Sequence, residues 1–168
     1  MSTSSELEKS VSFIVPALNE AARIADTVSA IIQAADNVET YEIILIDDGS
    51  TDQTVEIMLQ LQQQYQVVRT VIHDTNKGMG AAYKSGLESA DMNYVMLIPG
   101  DNQFEPESIR PVLATIGMKD IVIPYHINAD EVRPFFRRLF SDSYTALANY
   151  VSGFSIPYYN GTVVHRTD

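Results

Sequence analysis

The chain contains no cysteine. That excludes a disulfide framework and any thiolate metal site, and it suits a reducing cytosol. No apolar run reaches the roughly 20 residues that a bilayer-crossing helix needs. Met1–Ser10 is polar, with Glu6, Glu8 and Lys9, so it does not resemble a secretory signal and is expected to be a flexible lead-in to a domain over 11–168. Basic residues are scarce: 11 Lys and Arg stand against 22 Asp and Glu, a net charge of −11. A duplex nucleic-acid binder carries a basic footprint, so nucleic acid is not the expected partner. The few cations are unevenly spread, with Arg133, Arg137 and Arg138 close together. Such a patch marks a phosphate or an anionic membrane surface, or is simply a solvated helix face. A Gly-x-Gly-x-x-Gly turn is also missing after the first apolar strand, which argues against a dinucleotide enzyme.

What is present is a regular alternation. With 168 residues, 45% of them apolar, the chain can build one domain with a substantial core. Apolar runs predict strands at Val11–Val15, Glu42–Ile46, Val67–Ile72, Tyr94–Ile98 and Ile121–Ile123, with a short one at Thr162–Val164. Between them, helical spacing predicts Asn19–Ala35, Asp52–Tyr65, Met79–Ala90, Glu105–Ile116 and Pro134–Val151. In the second helix Val55, Met58, Leu59 and Leu61 are expected inward. In the last, Phe136 and Phe140 have the i, i+4 spacing of a core face. Strands alternating with helices imply βαβ units, a mostly parallel sheet and a three-layer α/β/α architecture. The end, Val163–Asp168, reads as a strand leading towards a further helix, so a C-terminally incomplete domain is expected.

The chemistry lies in four loops at strand ends, where open α/β sheets bind ligands. Ile43–Ile46 is a buried strand that stops on Asp47-Asp48-Gly49-Ser50-Thr51-Asp52. Two adjacent acids there can accept hydrogen bonds from a base or ribose, or approach a metal; Ser50, Thr51 or Asp52 can equally cap the next helix. The first loop, Pro16-Ala17-Leu18-Asn19-Glu20, offers Asn19 as a cap and Glu20 as a first-turn acid or ligand contact. The third, Asn76-Lys77-Gly78-Met79-Gly80, places glycines at a helix head where backbone can approach a phosphate, with Lys77 as a point charge; a plain turn is the alternative. The fourth, Pro99-Gly100-Asp101-Asn102-Gln103, puts a hard oxygen donor, Asp101, where Mg2+ or Mn2+ could be held through a diphosphate.

Together, Pro16-x-x-Asn19-Glu20, Asp47–Asp52, Asn76-Lys77-Gly78 and Gly100-Asp101 resemble the inverting family-2 glycosyltransferases of the GT-A fold, a Rossmann-like α/β class. The resemblance runs from about Val11 to Asp168 and is greatest to the polyprenyl-phosphate sugar synthases. It implies a nucleotide-sugar donor (UDP- or GDP-sugar). Asp47 or Asp48 and Glu20 would hold its base and ribose, Pro16 and Leu18 would flank the base, and Lys77, Gly78 and Gly100 would line the donor site. It implies that Asp101 holds a divalent metal bridging the diphosphate, with Gln103 beside it. It also implies that Arg137, Arg138 and Ser141 face an acceptor phosphate at the cytoplasmic face of a membrane.

Three departures stand out. The family's metal loop reads Asp-x-Asp, and Pro99 occupies its first position. Tyr125-His126 stands where the lipid-phosphate subgroup has Ser-Arg. Tyr158-Tyr159-Asn160 replaces the acid expected before Gly161. A non-catalytic nucleotide-sugar-binding domain is therefore the alternative expectation.

Overall fold

A computed structural model describes residues 9–124, 135–154 and 163–167, leaving aside the side chains of 135–139, 141 and 142. The expected lead-in before Lys9, Tyr125-His126 and Tyr158–Gly161 lie outside the described residues. The elements are β1 (Ser10–Ala17), α1 (Ile24–Ala34), β2 (Thr40–Asp47), α2 (Thr54–Gln64), β3 (Val68–Ile72), α3 (Met79–Ser89), β4 (Tyr94–Leu97), α4 (Pro106–Leu113), β5 (Ile121–Val122), α5 (Phe135–Ser152) and β6 (Val164–Arg166). The chain divides into two units, Met1–Val122 with Val164–Asp168, and Ile123–Val163.

The first unit holds a six-stranded sheet in the order β3-β2-β1-β4-β6-β5. β1 pairs in parallel with β2 and β4, and β2 with β3. β6 runs antiparallel between β4 and β5. The sheet is thus mostly parallel, as the alternation implied, and it gains its antiparallel member because β6 returns from the distant end of the chain.

Period-two alternation divides the strands between two cores. Phe13 and Val15 of β1, with Ile43 and Leu45 of β2, pack with Ile24, Val28 and Ile31 of α1, Met58 of α2 and Ile109 of α4. Ile14, Ile44, Ile46 and Val95 face the other way, onto Ala82 of α3. Both faces are covered, so the central strands read as continuous apolar runs. On the second face helix and sheet are very close: a Cβ on Gly86 would lie 2.2 Å from Ile14 Cγ2.

Within β2, Glu42 is buried but paired. Its Oε1 accepts from Ser12 Oγ at 2.6 Å and from the Asp91 backbone N–H at 2.8 Å. Arg69 bridges Glu42 and Asp91, so the buried charge is both neutralised and hydrogen-bonded.

Several boundaries differ from the predicted ones. β1 begins at Ser10, which is buried, and continues through Pro16 to Ala17. Pro16 has no N–H to give, but its carbonyl accepts from Gly100 N at 2.9 Å, so the β1–β4 side of the sheet is continued from the acceptor side. α1 starts at Ile24 rather than Asn19, because Asn19 adopts φ 57° and leaves helical geometry. On α2, Thr54, Met58 and Leu61 form the buried i, i+4, i+7 row, which turns Leu59 outward to 40% exposure, against expectation. The second unit contains α5. There Phe140 is 74% exposed rather than core: helical spacing defines a face but not what covers it.

Candidate functional site

The strand order reverses at β1, whose neighbours are β2 and β4. The crevice beyond the carboxyl ends of these three strands is where an open α/β sheet accepts a ligand. The loops after β1, β2 and β4 and the head of α3 meet there.

The first two loops are clasped to one another. Asn19 N donates to Ser50 Oγ at 2.9 Å, and Thr51 N donates to Asn19 Oδ1 at 2.8 Å. Glu20 N donates to Thr54 Oγ1 at 2.9 Å, and Ala21 N to Asp52 Oδ2 at 3.3 Å. Asp52 also accepts from Thr54 N at 3.0 Å. The Thr54 hydroxyl above all, and then the Thr54 and Ala21 amides, hold the Asp52 carboxyl below its ordinary range against a smaller opposing effect of burial. This corrects the expected capping. Asn19 caps no helix; its side chain is spent on the second loop. Ser50 and Asp52 supply the side-chain oxygens that accept from the Asn19 and Ala21 amides in the turn before α1. Neither α1 nor α2 has a side-chain cap at its N-cap residue. The two motifs occur together because each completes the other's backbone hydrogen bonds.

The adjacent acids part company. Asp47, 1% exposed, accepts from the amides of Gly49 and Ser50, each at 3.1 Å, and folds its own loop. Asp48 continues the even-numbered row of Ile44 and Ile46, and so falls on the α3 face. Its Oδ1 accepts from His73 Nδ1 and Lys77 N, both at 2.9 Å, and its Oδ2 from Gly78 N at 2.8 Å. Burial, the largest single influence, pushes the Asp48 carboxyl up. The hydrogen bonds from Lys77, His73 and Gly78 together outweigh it and hold the group below its ordinary value. Asp48 is therefore an ionised, buried carboxylate at the head of α3, where the helix dipole favours it. The loops come so close here that a Cβ on Gly49, at φ +79°, would sit 2.5 Å from Asn76 N.

The fourth loop supplies Asp101. Gln103 Nε2 donates to its Oδ2 at 2.7 Å, while Oδ1 is buried with no hydrogen-bond partner. A buried carboxylate oxygen left bare is costly unless something cationic or protic meets it.

One pocket gathers these parts. It is lined by Pro16, Leu18 and Glu20 from the first loop and Asp48 from the second. Asn76, Gly78, Met79 and Ala82 come from the head of α3, and Pro99, Gly100 and Asp101 from the fourth loop, with Ala17 between. The structure thus brings together Pro16, Leu18, Glu20, Asp48, Gly78, Gly100 and Asp101. It does not bring Asp47, which is committed to its own turn. Nor does it bring the exposed Lys77, whose amide is given to Asp48, or Gln103, which stands behind Asp101. The α3 head was expected to cradle a phosphate; the anion that its Lys77 and Gly78 amides hold is the carboxylate of Asp48. Arg137, Arg138 and Ser141 lie on α5, in the other unit, with side chains outside the described residues. Met79 and Ala82, at i and i+3 after Gly78, were within reach of helical spacing; His73 carried no signal, since a lone histidine after a strand does not reveal its partner.

Three carboxylates and no Lys or Arg line the pocket among the described residues. No group of three His, Asp or Glu residues able to hold a metal by themselves occurs among the described residues either. An anionic ligand here needs a cation to accompany it, and the bare Asp101 Oδ1 faces that need.

Comparison with known proteins decides the family. The model described as glycosyl transferase family 2 matches residues 12–163. The chain belongs to glycosyltransferase family 2. Among curated family members, a dolichol-phosphate mannosyltransferase from Mycosarcoma maydis is 28% identical over 158 residues, covering 88% of this chain and 54% of that protein. An undecaprenyl-phosphate 4-deoxy-4-formamido-L-arabinose transferase from Edwardsiella ictaluri is 29% identical over 151 residues, covering 89% of this chain and 46% of the relative. The chain therefore spans about half the length of these two curated relatives. Among solved structures, glucosyl-3-phosphoglycerate synthase from Mycobacterium tuberculosis, bound to Mn2+, UDP-glucose and phosphoglyceric acid, superposes with a TM-score of 0.70 at 18% identity. It covers 94% of this chain and 56% of that one. The fold is GT-A, as the family's loops implied.

Proposed function

We propose that this family-2 domain binds a UDP- or GDP-sugar in the pocket between the four loops and transfers the sugar, with inversion, to an acceptor phosphate such as a polyprenyl phosphate. The observation that carries the reading is the bare, buried Oδ1 of Asp101 in a pocket lined, among the described residues, by three carboxylates and no Lys or Arg. Mg2+ or Mn2+ held by Asp101 would satisfy that oxygen and offset the charge of a diphosphate. Mg2+ commonly uses one or two carboxylates with substrate phosphates and water, so a single Asp101 fits even with Pro99 in place of a second acid. When bound, the metal would neutralise charge on the departing diphosphate. Asp48 and Glu20 would face the base and ribose, with Pro16, Leu18 and Met79 as apolar walls.

The transfer is an in-line displacement. An acceptor phosphate oxygen forms the new bond to the anomeric carbon as the bond to the diphosphate oxygen breaks, inverting that carbon. A phosphate acceptor is already ionised at neutral pH, so no strong general base is required. The two polyprenyl-phosphate relatives support that acceptor class. Arg137, Arg138 and Ser141 are its proposed contacts, at a cytoplasmic membrane face. The proposed association is peripheral; no helix among the described residues is long and apolar enough to cross a membrane.

Isothermal titration with UDP, GDP and their sugars, with and without Mn2+, tests the reading. Asp48→Ala should weaken binding in both conditions, and Asp101→Ala only the Mn2+-dependent part. If both variants bind like the parent, the site is wrong. Pro99 favours a second reading, a nucleotide-sugar-binding domain without turnover. Metal-independent binding, with no transfer to polyprenyl phosphate in vesicles by the protein, would select it.

A further inference from the structure

Asp48 does not stand alone. His73, buried at the end of β3, places Nδ1 2.9 Å from Asp48 Oδ1 and Nε2 2.9 Å from Ser85 Oγ on the second turn of α3. An ionised carboxylate can only accept, so the proton in the first bond is on Nδ1. The order Ser-His-Asp suggests a hydrolytic triad, but neither Ser85 nor His73 lines the pocket. The chain of bonds leads away from the ligand space, so Ser85 is no nucleophile.

A carboxylate offers about four lone-pair positions. On Asp48 two are taken on Oδ1, by His73 and Lys77, and one on Oδ2, by Gly78. One position on Oδ2 is left for a ligand. The two amides, adjacent in one turn, hold one carboxylate oxygen each. His73, just after β3, adds a third bond on Oδ1 that reinforces this orientation from a separate element.

We propose that His73 is a positioning residue for donor recognition: it clamps Asp48 so that one Oδ2 lone pair is presented to an N–H group of the nucleobase, and Ser85 fixes the ring that does so. The inference rests on the reading that this pocket takes a nucleoside diphosphate. It adds the residue that determines whether the base-facing acid is pre-organised. A clamp of this kind acts on affinity because the ligand no longer bears the entropy cost of orienting the acid.

Two isosteres separate clamping from mere packing. The amide nitrogen of Asn overlays Nδ1 of His, whereas that of Gln overlays Nε2. His73→Asn keeps the donor to Asp48 and loses Ser85; His73→Gln keeps Ser85 and loses Asp48. Titration with UDP and GDP in the presence of Mn2+ should show His73→Gln weakened about tenfold, the value of one charge-assisted bond. His73→Asn should stay within about threefold of the parent, because that bond is retained. Thermal melts should show both variants lowered to a similar extent. Equal affinity losses in the two variants, or none in either, would overturn the proposal. NMR on the parent serves if His73→Gln does not fold: the His73 Nδ1–H resonance should shift on saturation with UDP, and a resonance that does not move refutes the clamp. If the parent binds neither UDP nor GDP with Mn2+, the pocket reading itself falls, and the clamp with it.

Discussion

Replacing Asp48 by Asn removes a charge and leaves the shape nearly unchanged, which makes it a sharp test of how the site is held. The parent carboxylate accepts three bonds, at 2.9, 2.9 and 2.8 Å. An Asn side chain has one oxygen. Placed at the Oδ1 position, that oxygen keeps His73 and Lys77, and the new NH2 confronts the Gly78 amide donor to donor. The flipped amide would keep Gly78, pair with the other tautomer of His73 and lose the Lys77 bond instead. The first arrangement still forfeits one charge-assisted bond, leaving the Gly78 N–H only its bond to Asn76 Oδ1, a cost of about 1.5–3 kcal/mol. For a chain of this size that is a drop of roughly 3–12 °C in Tm. The pH dependence has a definite sign. The folded Asp48 carboxyl titrates below its ordinary value, so its contribution is complete above the unfolded carboxylate pKa and is lost as pH falls through the folded one. Urea unfolding of parent and Asp48→Asn should differ by a constant amount from about pH 7 to pH 5, and the gap should close below about pH 4. A variant as stable as the parent at pH 7, or a gap unchanged in acid, would refute the claim that Asp48 is a buried ionised acceptor organising the head of α3.

Two further outcomes follow from close contacts and from the fourth loop. Gly86→Ala should cost about 1–3 kcal/mol by overpacking, since its Cβ would meet Ile14 Cγ2 at 2.2 Å. In the Ile14→Ala background the added methyl should cost less, and strict additivity of the two changes in urea unfolding would contradict the contact. Pro99→Asp should tighten Mn2+ in the presence of UDP by adding a second carboxylate beside Asp101; unchanged Mn2+ affinity by titration would show that the loop is not a metal loop short of one ligand.

Much of the architecture was legible in the residues themselves. Val11–Val15 and Ile43–Ile46 are apolar without interruption because both faces of a central parallel strand are covered, and such runs can be read directly. The four loops were legible for the same reason: an apolar strand that stops on acids and glycines marks its own carboxyl end. Boundaries set by long-range contacts were not. Asn19 has the credentials of a cap, yet its side chain is claimed by Thr51 in another loop, and no local rule expresses that. Leu59 and Phe140 belong to helical stripes, but whether a stripe is covered depends on neighbours distant in the chain.

The sequence by itself determined the class of the fold, the order of its loops and the family to which they belong, because periodicity and turn chemistry are local properties. Only the tertiary structure decided which acid enters the pocket. Asp47 and Asp48 are chemically identical neighbours, and pleating sends them to opposite faces. The residues two along from those that face α3, namely Pro16 after Ile14, Asp48 after Ile46 and Pro99 after Leu97, are among those that line the site. Which face α3 would cover depends on how the chain crosses from β3 to β4 on the far side of β1. The partners that hold Asp48 ionised, at His73, Lys77 and Gly78, arrive only when that crossing is made.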